Sequence, residues 1–328
     1  MNGFLTRRAA VPAAFLIAVA AFAAAVWWFA FTSALDQLDE RGRADLSLAA
    51  DRLTGQLQRY RELAVFLSDH PVLEARVLGT APQADAADAL LLRMADKTGS
   101  EAVLLTGPDG RVIASSNGSA GADLSAAADV RRAMNGALGA DHFVAPGTSA
   151  RIYSYAAPVF APDGPARGAV VVRIDLAALE WNWPADPSPV FFSDEAGIVF
   201  VANRSELILT ERAASGAGAG RDAEAPERFP DFRSREIGGH DTWSLDGGRY
   251  LPGRALHLTL PLPVIGMTGE LLLDLGPALK LATLQAAVAG ALCLAFGALL
   301  FLATERRRAL TERLRAEAAV NTALEARV

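Results

Sequence analysis

Cysteine, histidine and phosphate-binding loops are all scarce in this chain of 328 residues. The lone cysteine, Cys293, has no second cysteine to pair with. No intrachain disulfide therefore supports the fold, and cysteine metal sites or thiol catalysis are excluded outside the apolar run that contains it. Only four histidines occur, His70, His142, His240 and His257, and no two have the spacing of metal ligands. No G-x-G-x-x-G follows a strand pattern, and neither G-x-x-x-x-G-K-S/T nor G-x-S-x-G is present. The Gly-Ala-Gly-Ala-Gly stretch at 216–220 lacks a strand–helix setting and reads as part of a mobile loop over 214–227. No catalytic residue, metal or cofactor is expected, and no basic face for nucleic acid exists.

Apolar residues, by contrast, make up 52% of the chain, and mean hydropathy is +0.22. They concentrate in two uncharged runs, 23 residues from Ala9 to Phe31 and 24 from Leu281 to Thr304. At about 1.5 Å per helical residue, either crosses a hydrocarbon core roughly 30 Å thick. Two spans form no pore by themselves, which excludes a polytopic transporter. The first run is longer than a signal peptide's apolar region, so it reads as an uncleaved anchor.

Charge orients the ends. Residues 1–8 and 305–328 hold eight arginines and four glutamates, which leaves 23 basic and 33 acidic residues for 9–304. Arg7 and Arg8 flank the first run, and Arg306 to Arg308 flank the second. Both termini are therefore expected in the cytoplasm, residues 1–8 and 305–328, with the middle outside.

Between the spans, 33–78 reads as one long helix, weakened at Gly42 and Gly55 and ended or kinked at Pro71. A loop at 81–85 leads to a helix over 86–98. The period then changes to strands. Glu101–Thr106 and Arg111–Ser115 flank the turn Gly107-Pro108-Asp109-Gly110. A helical patch over 124–138 follows, then strands His142–Ala145, Arg151–Val159 and Ala169–Ile174. These predict a five-stranded antiparallel sheet with helices on one side. After Trp181–Pro184 a second cycle opens with a similar hairpin, Pro189–Ser193 and Ile198–Ala202, about 87 residues on, an internal repeat. His240–Leu245, Arg254–Leu262 and Met267–Leu273 complete it. The expected class is α+β: two tandem PAS-like domains, 79–180 and 181–275, between spans 9–31 and 281–304. The tail 305–328 reads either as a solvated helix or as a marginal coiled coil that continues the second span.

Ordered motifs carry a resemblance. They are Gly110–Asn117, Val130-Arg131, Gly147–Tyr153 through Ala157-Pro158-Val159, Gly168–Leu176, and Leu179-Glu180-Trp181. The whole chain resembles the double Cache sensor region of histidine kinases that govern C4-dicarboxylate transport, and Asn321–Val328 looks like the start of that family's signalling helix. One departure is Ala128, three residues before Arg131, where the family carries a tyrosine. The resemblance implies a membrane-anchored homodimer with its sensor in the periplasm and its spans in the inner membrane. It implies a C4-dicarboxylate ligand such as succinate, malate or fumarate, and a response-regulator partner. The tail has no histidine and ends in mid-pattern, as expected of a truncated product. Kinase activity would need a domain after Val328.

A dicarboxylate needs separated cations with hydroxyl donors between them, and arginine reads carboxylate bidentately. Arg131, Arg151 and Arg173 are the expected ligand-binding cations, with Thr148, Ser149 and Tyr153 supplying hydroxyls. Arg173 interrupts the otherwise apolar run Ala169–Ile174. The alternative for it is a pairing with Asp175 or Glu180 at the wet end of the strand. His142 reads as lying outside the expected pocket, with a place at its border as the alternative. The runner-up function is the input region of a chemoreceptor or of a cyclic-dinucleotide enzyme that senses another small acid or an amino acid. No Arg-x-Trp-Tyr motif for amino acids is present, and a tethered hydrolase would need a nucleophile–base pair that is missing.

Overall fold

The computed structural model describes residues 2–80, 84–162, 164–180, 188–212 and 227–325. The expected loop over 214–227 and the Trp181–Pro184 stretch fall almost wholly outside them. Helix α1 is continuous from Asn2 to Ser68, so the first span and the helix that follows it are one element. The break at Pro71 starts a new helix, α2 (Pro71–Val77), in which proline occupies the first turn and the His70 side chain accepts from the Val72 amide. Proline suits that position because its missing N–H would have no helical partner there. Helix α3 covers Ala84–Thr98.

The first sheet contains β1 (Ala102–Thr106), β2 (Val112–Ser115), β3 (Gly139–Val144), β4 (Arg151–Phe160) and β5 (Ala166–Asp175), in the order β2-β1-β5-β4-β3. All its pairings are antiparallel. Between β2 and β3 lies α4 (Ala128–Met134), shorter than the helical patch expected from sequence. It packs Val130 and Ala133 against Ala102, Leu104, Ala156, Ala169 and Val171. On the opposite face, Val77 of α2 lies against Gly168 of β5. Helices therefore cover both faces, not one. The reason is visible in β5: Ala169–Val172 is apolar at every position, and a strand apolar on both faces needs cover on both.

Helix α5 (Leu176–Glu180) leads to the second sheet. Its strands are β6 (Val190–Ser193), β7 (Val199–Ala202), β10 (Phe232–Ile237), β11 (His240–Leu245), β12 (Arg254–Leu262) and β13 (Met267–Asp274), in the order β10-β11-β12-β13-β6-β7. The short strands β8 (Thr210–Glu211) and β9 (Glu227–Arg228) pair in parallel beside it. Phe191, Phe229, Trp243, Leu251 and Leu272 form its core. Against its other face lies α1, where Gly42 lets the helix close on Leu258 and Leu273. A Cβ at Gly42 would meet their methyls at 2.5 and 2.4 Å.

The two hairpins repeat in detail. Both carry a bulge, at Leu105/Thr106 and at Phe192/Ser193. Both close with the same pair of turn bonds, Gly107 N to Arg111 O with Gly110 N to Gly107 O, and Asp194 N to Ile198 O with Gly197 N to Asp194 O. Gly110 and Gly197 have φ of 78° and 83°, a region open to glycine at little steric penalty.

The chain divides into two compact units. The larger is Glu40–Arg235 with Asp241–Leu273 and contains nearly all of both sheets. The other is Met1–Asp39, Glu236–His240 and Asp274–Val328, and includes all of α6 (Gly276–Glu325). Within it the two long helices run antiparallel. Ala23 faces Gly290, Phe15 faces Gly297, and the Trp27 indole donates to Thr283 at 3.3 Å. Leu16, Ile17, Phe29, Leu292 and Phe296 are exposed, as expected of helices that meet lipid. Both helices are long and apolar enough to span a membrane. On the tail, Leu310 and Leu314 are exposed on this single chain.

Candidate functional site

Register decides which of the expected residues meet. Across β3, β4 and β5 the pairings Asp141↔Ser154 and Ser154↔Arg173 place these three side chains in one row on one face. The face is that of α4, because Ala156 and Val171, two residues from Ser154 and Arg173, pack against it. Asp129 of α4 lies over the row. Its carboxylate accepts the Ser154 hydroxyl at 2.5 Å and the Val130 amide at 2.8 Å. Asp129 is only 3% exposed. Burial holds its carboxyl above the ordinary carboxylate range, and the nearby Asp141 acts in the same direction, whereas the bonds from Ser154 and Val130 and the Arg173 charge oppose the rise.

Arg173 is half-buried and its guanidinium carbon sits 5.4 Å from the Phe143 ring centre. Its Nε is buried without a hydrogen-bond partner. Among the described residues its guanidinium forms no ion pair; neither Asp175 nor Glu180 takes it, contrary to the alternative weighed from sequence. A buried guanidinium edge left unbonded is unfavourable unless something else fills the place.

Arg151 is different. It is an odd number of residues from Ser154 along β4, so it points to the other face of the sheet. There it is 6% exposed and forms a two-pronged ion pair with Glu180, at 2.7 and 2.6 Å, and donates to the Phe200 carbonyl. The expected convergence of Arg131, Arg151 and Arg173 on one pocket does not occur. Tyr153 shares the face of Arg151. Its hydroxyl donates to Ile265 O at 3.1 Å, and burial keeps the phenol protonated far above neutral pH. Arg131 lies on the exposed side of α4. Thr148 and Ser149 lie in the exposed β3–β4 turn, where the Thr148 hydroxyl donates to Ala145 O and accepts the Ala150 amide.

His142, on the Tyr153 face, sits 3.4 Å from Asp194 and edge-on to Phe200. It borders a cleft of about 790 Å³ lined by Arg61, Arg132, Tyr153, Tyr155, Asp194 and Ile265. A separate buried network occupies the second sheet. Glu270, 0% exposed, accepts from Ser193, His257 and Arg212. His257 also meets Asp241 at 2.8 Å and stacks on Trp243. Partial burial raises the Asp241 carboxyl, but the hydrogen bonds it accepts from Ser234, His257 and Trp243 hold it below the ordinary range. No group of acids, histidines or cysteines among the described residues is arranged to hold a metal.

Sequence reasoning missed Asp129, Asp141, Phe143 and Ser154. Asp129 and Ser154 are 25 residues apart and only the register joins them. The available signals were an acid beside the apolar residues of α4 and a serine between two tyrosines in β4.

No family model matches the chain. The C4-dicarboxylate transport sensor protein DctB of Pseudomonas aeruginosa is 27% identical over 303 residues, 89% of this chain and 47% of that protein. The chain thus spans about half the length of this relative. The crystal structure of the V. cholerae histidine kinase DctB sensor domain superposes with a TM-score of 0.62 at 19% identity, over 73% of this chain and 97% of that domain. The ligand-binding domain of the P. aeruginosa amino acid chemoreceptor PctC aligns at a TM-score of 0.47 and 19% identity, over 74% of this chain and all of that domain. The likeness to DctB runs along 89% of the sequence, and the two antiparallel sheets behind one long helix share the fold of the DctB sensor domain.

Proposed function

We propose that the chain is the input half of a two-component receptor and binds a small organic anion at the α4 face of the first sheet. A C4-dicarboxylate such as succinate, malate or fumarate is the ligand implied by its likeness to DctB. The observation that carries this reading is the Arg173 guanidinium, whose buried Nε has no hydrogen-bond partner among the described residues, in a chain whose acids outnumber its bases. One ligand carboxylate binds Arg173 in this scheme. The other lies toward Arg131 and the hydroxyls of Thr148 and Ser149. The reading assigns ligand binding to 79–180 and a relay role to 181–275. Arg151 and Tyr153 support the site from the opposite face.

In the same proposal the sensor lies in the periplasm, both termini are cytoplasmic and the spans sit in the inner membrane. Two copies associate, and the ligand shifts the α6 helices relative to each other, which controls a kinase that phosphorylates a response regulator. Differential ligand affinity for two arrangements is what drives such a shift.

Thermal-shift measurement on the full chain in detergent tests the ligand. A ligand at 100 times its Kd stabilises the native state by about 2.7 kcal/mol. Succinate, malate or fumarate is expected to raise the melting temperature where acetate does not. No rise with any of the three would contradict the reading.

A further inference from the structure

The Asp129–Ser154–Arg173 cluster carries more than an anion site. We propose that Asp129 makes this site select acids with a hydrogen-bond donor on the carbon next to a carboxylate, a hydroxyl or an ammonium, over acids that offer only acceptors. The inference rests on the proposed function, since it concerns the other end of the ligand that Arg173 holds.

Three observations support it. Asp129 is nearly fully buried over the row that contains Arg173 and feels its charge, yet among the described residues no ion pair within 4 Å joins the two. The buried Arg173 Nε keeps an unused donor. An ionised carboxylate has about four lone-pair sites, and Asp129 fills two of them, with the Ser154 hydroxyl and the Val130 amide. Finally, Asp141 stands at the far end of the same row, two strands from Arg173, so the row holds two acids and one guanidinium.

That charge order does not suit succinate or fumarate, which present only carboxylate oxygens. A second carboxylate beside Asp129 would place like charges together in a weakly screened site, a repulsive element that discriminates between ligands. A 2-hydroxy or 2-amino acid presents the opposite polarity. Its carboxylate meets Arg173, and its neighbouring donor meets Asp129. Hydrogen bonds to a charged group change affinity by about 10- to 150-fold.

Calorimetry on the full chain in detergent micelles, with succinate, L-malate and L-aspartate as probes, tests this. Malate or aspartate, or both, is expected to bind at least about tenfold more tightly than succinate. A lead for aspartate assigns the ammonium as the donor, and a lead for malate assigns the hydroxyl. Asp129→Asn, which keeps an acceptor for Ser154 and gains a donor for carboxylate, is expected to shrink the advantage over succinate. Succinate binding as tightly as both others in the unaltered chain, with that binding lost in Arg173→Ala, would overturn the inference and leave the Arg173 site standing. An advantage unchanged in an Asp129→Asn protein that melts cooperatively would also overturn it. Binding of none of the three, or binding indifferent to Arg173→Ala, would overturn the site itself.

Discussion

Arg151 and Arg173 are three positions apart in pairing register and play opposite parts. Arg151 is spent inside the protein on Glu180 and Phe200, whereas Arg173 lies beside the Phe143 ring and its buried Nε has no partner among the described residues. Removing one partner of a buried pair leaves the other charge uncompensated, at about 3–5 kcal/mol. Arg151→Ala is accordingly expected to lower the melting temperature sharply in denaturation followed by circular dichroism, and Arg173→Ala to leave it nearly unchanged. A mild Arg151→Ala would mean that Glu180 finds water instead. Asp129 gives a pH signature. Its native carboxyl titrates above the ordinary value of 3.8, so at pH values between the two the folded state keeps a proton that the unfolded state has lost. Stability from this group is present below about pH 4 and declines as pH rises through the native value. Asp129→Asn removes that decline. Its melting temperature relative to the unaltered chain is expected to rise between pH 3.5 and pH 7, and a constant difference would show that Asp129 titrates normally. Arg173 was legible in the sequence as a charge in an apolar strand. Asp129 was not, because an acid next to apolar residues announces neither its burial nor its distant partner.

At the scale of elements, the sequence was most readable where turn chemistry is explicit. Both repeated hairpins follow from Asp and Gly at the turns, and their bulges fall at equivalent places. Gly110 shows why the residue is needed. Its φ is 78°, and a Cβ there would lie 2.6 Å from the Ser125 backbone. Gly110→Val is expected to lower stability by about 1–3 kcal/mol through backbone strain, more if Ser125 cannot yield. An unchanged chemical-denaturation midpoint would contradict this. Strand β10 escaped notice because Phe232–Ile237 alternates no apolar stripe and its four central residues are exposed, the composition of a guarded edge strand. The side of the sheet on which Arg151 falls could not be read either. A shift of one residue in register exchanges the two faces, and nothing in the residue pattern sets the register of β4 against β3 and β5.

At the scale of the whole molecule, the apolar runs and the arginines beside them were legible outright, since membrane crossing is set by length and hydropathy. The proposed orientation predicts that a reporter fused at residue 150 reports outside and one at 328 reports inside; the reverse at either point would refute it. In the proposed scheme these scales meet at Arg173, because a ligand can drive a signal only by binding two states with different affinity. Its most direct test is calorimetric titration of the full chain and of its Arg173→Ala and Arg173→Lys variants with L-malate. Arg173→Ala is predicted to weaken binding by about 10- to 150-fold without loss of folding. Arg173→Lys is predicted to recover only part, because an ammonium lacks the bidentate fork. Malate bound by Arg173→Ala as tightly as by the unaltered chain would contradict the account.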